Sequence, residues 1–254
     1  MYFNIDDYTI YYEKYGNKDK NIIILPGWGN TRITFNNIIN FFRYDYSVYI
    51  FDYPGFGNSK IIDKEMTIYD YAYIIYSFIK RNNLDNSIII AHSFGGRILS
   101  LLCGYYNLYF NKIILIDVAG INKFSFTKII RTYTYKILYK ISYLLPRYLK
   151  FKYRNYLLNK FGSSDYLELD INMRKTFSNI VKEDLRKYYK KISTDTLIIW
   201  GDNDTSTSIK LGRYINKIIK NSSLIIYKNS SHFSYLDYPC LTNNIIEKYI
   251  KMED

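Results

Sequence analysis

Histidine is almost absent from this chain: His92 and His232 are its only two imidazoles in 254 residues. Chemistry that needs an imidazole base therefore has two sites to choose between. Cysteine is equally scarce. Cys103 and Cys240 stand in apolar contexts without metal-ligand spacing, which excludes a disulfide scaffold or a cysteine zinc site and reads both as reduced core thiols. No apolar run approaches the roughly 20 residues needed to cross a bilayer. The first residues, Met1 to Asp7, are acidic where a secretory signal would be basic, so a cytoplasmic protein is expected. There is no metal motif and no internal repeat. Neither Gly27-Trp28-Gly29 nor Gly55-Phe56-Gly57 continues into a dinucleotide fingerprint, so neither metal nor cofactor is expected.

Acidic residues are missing from one long stretch. From Lys123 to Lys160 there is none, and from Lys123 to Lys191 there are 17 Lys or Arg against 5 Asp or Glu. The rest of the chain holds 18 of each sign, so the whole net charge of +12 resides in that stretch. On a helix from Thr127 to Leu145, Ile129, Ile130, Tyr133, Ile137, Ile141 and Leu144 gather on one side and Lys128, Arg131 and Lys136 largely on the other. The plain reading is a solvated helix face. The sharper ones are docking on an anionic membrane surface or on an acidic carrier protein. With no base-reading motif present, nucleic acid is not expected as a partner.

What is present is concentrated at Ala91-His92-Ser93-Phe94-Gly95-Gly96. An apolar strand-like run, Ser87 to Ile90, precedes it, and a helical pattern from Arg97 comes after it. A serine between small residues at such a junction is a nucleophile elbow: the turn is too tight for bulky neighbours and leaves the hydroxyl clear of the sheet. An acyl-transfer serine needs a base, and the base needs a carboxylate to hold its tautomer. His92 adjoins Ser93, and the elbow aims adjacent side chains apart, which leaves His232. Between them, Leu197-Ile198-Ile199-Trp200 runs into Gly201-Asp202-Asn203-Asp204. Asp204 is assigned as the orienting acid, with Asp202 as the alternative.

Short all-apolar runs such as Ile22-Ile23-Ile24-Leu25 suit parallel strands buried on both faces. Strands are expected at Thr9–Lys14, Asn21–Leu25, Ser47–Phe51, Ser87–Ala91, Lys112–Ile116, Thr196–Trp200 and Ser223–Tyr227, and helices at Thr34–Phe42, Thr67–Asn82, Phe94–Tyr105, Ser208–Lys220 and Pro239–Lys251. At 254 residues and 48% hydrophobic the chain suits one α/β core with a doubly wound, mainly parallel sheet and reacting groups at its C-terminal edge. Residues 121–191 break the alternation: they are helical and polar-aromatic, without a convincing strand.

Four segments together resemble the α/β-hydrolase superfamily over nearly the whole chain. Leu25-Pro26-Gly27-Trp28-Gly29 is similar to the family's oxyanion loop, with Pro26 where histidine is customary. Asp52-Tyr53-Pro54-Gly55-Phe56-Gly57-Asn58-Ser59 resembles its Asp-x-x-Gly-x-Gly-x-Ser turn; Asp52, Gly55 and Gly57 read as architecture and Ser59 as a cap for the next segment. The elbow, with Ala91 for the usual first glycine, and the Gly201–Asp204 turn with the His232 loop complete the set. The resemblance implies a capped serine hydrolase, with core residues 1–120 and 192–254 and a helical cap at 121–191 over the active site. It implies Ser93, Asp204 and His232 as catalytic residues, the backbone amides of Trp28 and Phe94 as oxyanion donors, and the side chains of Trp28, Phe94 and Phe233 as walls of the substrate pocket. The expected reaction is carboxylesterase-like cleavage of a small or acyl ester, with a thioester as a variant. The alternatives are an acyl-carrier-protein methyl esterase, for the similar Gly-Trp-Gly loop, a monoacylglycerol lipase-like enzyme and, in another class, a non-catalytic binding protein using the basic cap.

Overall fold

The computed structural model describes residues 1–60, 64–122, 134–135, 137–161, 169 and 171–252. Eight strands form one sheet: β1 (Tyr2–Ile5), β2 (Tyr8–Tyr15), β3 (Asn21–Leu25), β4 (Ser47–Asp52), β5 (Ile88–His92), β6 (Ile113–Ile116), β7 (Thr196–Gly201) and β8 (Ser222–Tyr227). Their spatial order is β1-β2-β4-β3-β5-β6-β7-β8. The β1/β2 and β2/β4 pairs are antiparallel and every later pair is parallel. Ile22, Ile23, Ile24 and Leu25 are all fully buried, as a central strand covered on both faces requires. Side chains alternate across the sheet. Ile22, Ile24, Ile88, Ile90, Ile114, Ile116, Leu197 and Ile199 point into one core, closed by Phe35, Ile38 and Ile39 around α1 (Asn36–Phe42) and by Ile246 of α9 (Pro239–Lys251). The opposite face carries α2 (Ile68–Arg81) and α3 (Phe94–Gly104), and α7 (Ile209–Ile218) packs on β7 and β8.

The seven expected strands form within a residue or two of their limits. The sequence reading misses β1, a four-residue edge strand paired with β2 through a turn at Asp6, whose φ is +47°. The helix start at Thr67 has a clear physical cause. Its side chain accepts from the Asp70 amide at 3.4 Å while Asp70 accepts from the Thr67 amide at 2.6 Å, a reciprocal capping box. Ser59, expected as a cap, is instead a strand tie. Its Oγ accepts from the Tyr11 amide at 2.7 Å and donates to the Asp52 carbonyl, joining the loop after β4 to β2. Cys240 also departs from expectation: Cys103 is buried in α3, whereas Cys240 is exposed in the first turn of α9.

Two compact units result, Met1–Ile121 with Glu183–Asp254, and Asn122–Lys182. Residues 183–191, read from the sequence as part of the insertion, belong to the first unit. The short helix α6 (Arg186–Tyr189) is fastened there by the Leu185 amide to the Gly120 carbonyl at 2.8 Å, the Tyr189 hydroxyl to the Ala119 carbonyl at 2.7 Å, and Lys191 Nζ to the Gly104 carbonyl at 2.9 Å. The second unit contains α4 (Arg147–Phe161) and α5 (Ile171–Lys182). Of the helix expected at 127–145, residues 127–133 and 136, with Lys128, Ile129, Ile130, Arg131, Tyr133 and Lys136, lie outside the described residues. Residues 137–141 are helical and run into a 3-10 turn, Ser142–Leu144, that Pro146 stops. Ile137, Ile141 and Leu144 are exposed rather than buried along one side. No described helix is long and apolar enough to cross a membrane.

Candidate active site

Strand β5 delivers Ser93 to the C-terminal edge of the sheet and α3 begins at the next residue. Ser93 itself sits at φ +47° and ψ −110°, a backbone conformation rare for L-residues and held here by its surroundings. Its amide donates to the Ile116 carbonyl at 3.2 Å, and its carbonyl accepts from Gly96 at 3.1 Å and from Ala119 at 2.9 Å. The tight turn explains the glycines behind it. A Cβ on Gly95 would stand 2.0 Å from the Leu25 carbonyl oxygen, so α3 can approach β3 only without a side chain there. Ala91, in the position of the first glycine, is fully buried in β5. Ser93 is half-buried, and the N-terminal end of α3 directs its partial positive charge toward it.

The loop after β8 brings His232 to the same edge. The Ser93 hydroxyl lies 2.9 Å from His232 Nε2, and His232 Nδ1 lies 2.8 Å from Asp204 Oδ2. Asp204 comes after β7 and is buried, whereas Asp202 is exposed and its Oδ1 accepts from the Ser230 amide at 3.3 Å. Of the two aspartates, Asp204 is the one that meets the imidazole. Its other oxygen accepts from the amides of Ser206 and Thr207, both at 2.7 Å, and the Thr207 hydroxyl stands 2.6 Å from Oδ2. Burial alone would raise the Asp204 carboxyl, but the His232 contact and the Thr207 donors outweigh it and hold it below the usual carboxylate range.

His92 does not reach toward the serine hydroxyl. It is fully buried beneath it, and burial, together with the proximity of His232, pushes its imidazole down to about 3. A neutral ring with a carbonyl partner must carry its proton on Nε2, which donates to the His232 carbonyl at 2.9 Å. His92 therefore fixes the backbone from which the other imidazole projects. Its Nδ1 faces the oxyanion-type loop, where a Cβ on Gly27 would come within 2.8 Å of it. That close approach, with Asn30 Nδ2 only 2.4 Å from the same Cβ position, accounts for the glycine before Trp28.

The aromatic residues expected to wall the pocket divide. Phe94 is buried, its ring centroid 5.1 Å from Trp28 and 5.3 Å from both Tyr53 and Tyr71. Trp28 is half-buried and also packs against Phe56 at 4.8 Å. Phe233 packs toward the core, 5.3 Å from His92 and 6.4 Å from Tyr235.

Two supports escape the sequence reading. Thr207 is signalled only by the spacing Asp-x-x-Thr, which lets one carboxylate accept amides from the turn it begins. Asp117, at the end of β6, is fully buried and accepts from the Gly201 amide at 2.9 Å, the Ser234 amide at 3.2 Å and the Ser234 hydroxyl at 2.6 Å. It thereby joins β6, β7 and the short helix α8 (Ser234–Asp237) just beyond His232. Nothing in its sequence neighbourhood marks it.

Asp117 has a consequence for pH. Burial pushes its carboxyl up to about 7, with the Ser234 and Gly201 donors working against that shift. Because its ordinary value is 3.8, the folded protein holds this proton over a window where the unfolded chain has released it. Stability from this group is therefore greatest at low pH and declines between about pH 4 and 7, by at most roughly 4 kcal/mol. Asp117→Asn removes the titration. Urea midpoints measured across that window should show a flatter pH dependence in the variant, and parallel curves would reject the assignment.

Residues 20–161 match the family described as alpha/beta hydrolase fold. The chain is 24% identical to the uncharacterized hydrolase YugF of Bacillus subtilis (strain 168), covering 98% of this chain and 97% of that protein. It is 25% identical to the pimeloyl-[acyl-carrier protein] methyl ester esterase of Wigglesworthia glossinidia brevipalpis, over 93% of this chain and 95% of that one. Among solved structures, the esterase EaEST from Exiguobacterium antarcticum superposes with a TM-score of 0.74 at 20% identity, covering 96% of both chains. The likeness to the solved structure concerns the fold; the family match spans more than half of the chain's length, and on that ground the chain belongs to the alpha/beta hydrolase family.

Proposed function

We propose that this protein is a serine hydrolase that cleaves carboxylic esters through an acyl-enzyme, with Ser93, His232 and Asp204 as its catalytic residues. The observation that carries the reading is the unbroken relay from Ser93 Oγ to His232 Nε2 at 2.9 Å and from His232 Nδ1 to Asp204 Oδ2 at 2.8 Å. On this reading Ser93 Oγ attacks the ester carbonyl carbon while His232 Nε2 takes its proton. The carbonyl oxygen becomes an oxyanion, stabilised by the backbone amides of Trp28 and Phe94; one such donor contributes roughly 3–4 kcal/mol in comparable sites. Phe94 begins α3, so its amide has no partner within the helix. Collapse of the tetrahedral species breaks the bond to the leaving alcohol, which receives the proton from His232. Water then gives a proton to the same nitrogen and attacks the acyl carbon, releasing the acid and restoring Ser93. Asp204, kept ionised by its donors, holds the Nδ1–H tautomer and stabilises the imidazolium.

A second reading narrows the substrate to a methyl ester on a carrier-borne acyl chain. It is favoured by the similarity to the Wigglesworthia glossinidia brevipalpis esterase and by the loop Pro26-Gly27-Trp28-Gly29. The unit Asn122–Lys182 corresponds, on either reading, to the insertion expected as a cap.

The decisive test is covalent. A fluorophosphonate probe should label the folded protein on the peptide carrying Ser93 and fail to label it after heat denaturation. Absence of labelling in the folded protein would favour the non-catalytic alternative, a binding protein on a hydrolase fold. Methanol release from a carrier-bound methyl ester, compared with turnover of p-nitrophenyl esters of increasing length, then separates the two substrate readings.

A further inference from the structure

We propose that the second unit docks on an anionic lipid bilayer through the outer face of α4 and the turn preceding it. The argument begins with which side chains that helix exposes. At 100° per residue, Phe151, Asn155, Tyr148, Lys152, Tyr156 and Leu149 fall in that order along an arc of about 160°, with exposed Asn159 also inside it. All six are exposed, Phe151 at 69% and Tyr148 at 68%. Leu157, on the opposite side, is completely buried. The helix thus turns four aromatic or aliphatic side chains outward, interleaved with Lys152, Asn155 and Asn159. Leu144, in the 3-10 turn before Pro146, adds an aliphatic side chain that is 85% exposed.

Cations surround these groups. Lys140, Arg147 and Lys152 are exposed, and the ammonium of Lys152 lies 4.9 Å from the Tyr148 ring centroid. Lys150 and Arg154 stack on Tyr143 at 4.4 and 4.6 Å, and Arg154 lies 4.2 Å from Tyr139. Arg154 Nε also donates to the Ser142 hydroxyl at 2.9 Å, which fastens the turn to α4 and gives the surface a fixed shape. No acidic residue interrupts the sequence from Lys123 to Lys160.

An aromatic and leucine surface set among cations matches a phospholipid interface, where rings and aliphatic chains enter at the headgroup level and Lys and Arg meet phosphate. Two other occupants fit less well. A second copy of the chain would bring one acid-free surface against another. Acidity in a carrier protein accounts for the cations but not for the exposed Leu144, Phe151 and Tyr148, which a lipid interface does account for. This proposal does not depend on the ester reading, because its readout is binding.

The test is sedimentation of the full chain with vesicles of phosphatidylglycerol and phosphatidylcholine, and with phosphatidylcholine alone. Binding should require phosphatidylglycerol and weaken as salt rises. Leu144→Ser with Phe151→Ser should lower vesicle affinity by about tenfold or more, as should Lys140→Glu with Lys152→Glu. Unchanged thermal melts show that both variants fold, and unchanged turnover of a short soluble ester separates docking from catalysis. Equal binding to neutral vesicles, no binding to either, or full binding by both double variants overturns the proposal. So does self-association in sedimentation velocity, or binding to an acidic carrier protein, that is lost in these variants while vesicle binding is not.

Discussion

Ser93→Ala should abolish ester turnover, lowering kcat by about 10⁴-fold or more while leaving KM within a few-fold. The size comes from what is removed. On the proposed reading Oγ is the atom that forms the acyl bond, and the adjacent His92 offers no replacement because it is buried, neutral and committed to the His232 carbonyl. On the same reading, any residual reaction must come from water positioned by His232 beside the proposed oxyanion donors. Folding should be nearly untouched, because alanine and serine bear a similar strain at φ +47° and the backbone bonds to Ile116, Gly96 and Ala119 remain. Pairing the substitution with His232→Ala should add little to the loss, since the two groups act as a unit. A rate unchanged across a panel of p-nitrophenyl esters would remove Ser93 from the chemistry. A change in KM alone would recast it as a binding group.

How much of the molecule is legible in its sequence depends on where the determining contacts lie. Strands β3, β5, β6 and β7 each carry a buried run of at least three Ile or Leu residues, a pattern visible without any neighbour. Strand β1 escapes because Tyr2 and Asn4 face outward and its place is fixed by register with β2. Helix α6 reads as part of the insertion because its Arg-Lys-Tyr-Tyr composition resembles the residues before it, while its attachment to Ala119 and Gly120 is decided about seventy residues upstream. The site divides in the same way. His232 stands out because the chain has only two histidines, and Ser93 and the two aspartates because of their places in the elbow and in the Gly201–Asp204 turn. Their supports are ordinary residues made significant by partners far along the chain: His92 through His232, Asp117 through Gly201 and Ser234. Long-range pairing of that kind leaves no periodicity to read.

Asp204→Asn should cost about 10⁴ in kcat, and Asp202→Asn less than about twofold. The difference rests on hydrogen-bond direction. Asp204 Oδ1 accepts from the Ser206 and Thr207 amides, so the oxygen of a substituted amide must take that position. The new NH₂ then faces His232 Nδ1 in place of the carboxylate oxygen now 2.8 Å away. A donor there demands a lone pair on Nδ1, which moves the imidazole proton to Nε2. With Nε2 protonated, His232 can no longer accept the proton of Ser93, although every heavy atom stays close to its place. Asp202 is exposed and makes one 3.3 Å bond to the Ser230 amide, which asparagine retains through its oxygen. Steady-state rates on one ester, with thermal melts to establish folding, decide the matter. Equal losses in the two variants, or a larger loss at Asp202, would transfer the orienting role away from Asp204. A loss at Asp204 accompanied by a collapsed melt calls for Thr207→Val, which keeps the Thr207 amide bond, removes the hydroxyl at 2.6 Å and should lower kcat more moderately, by roughly tenfold.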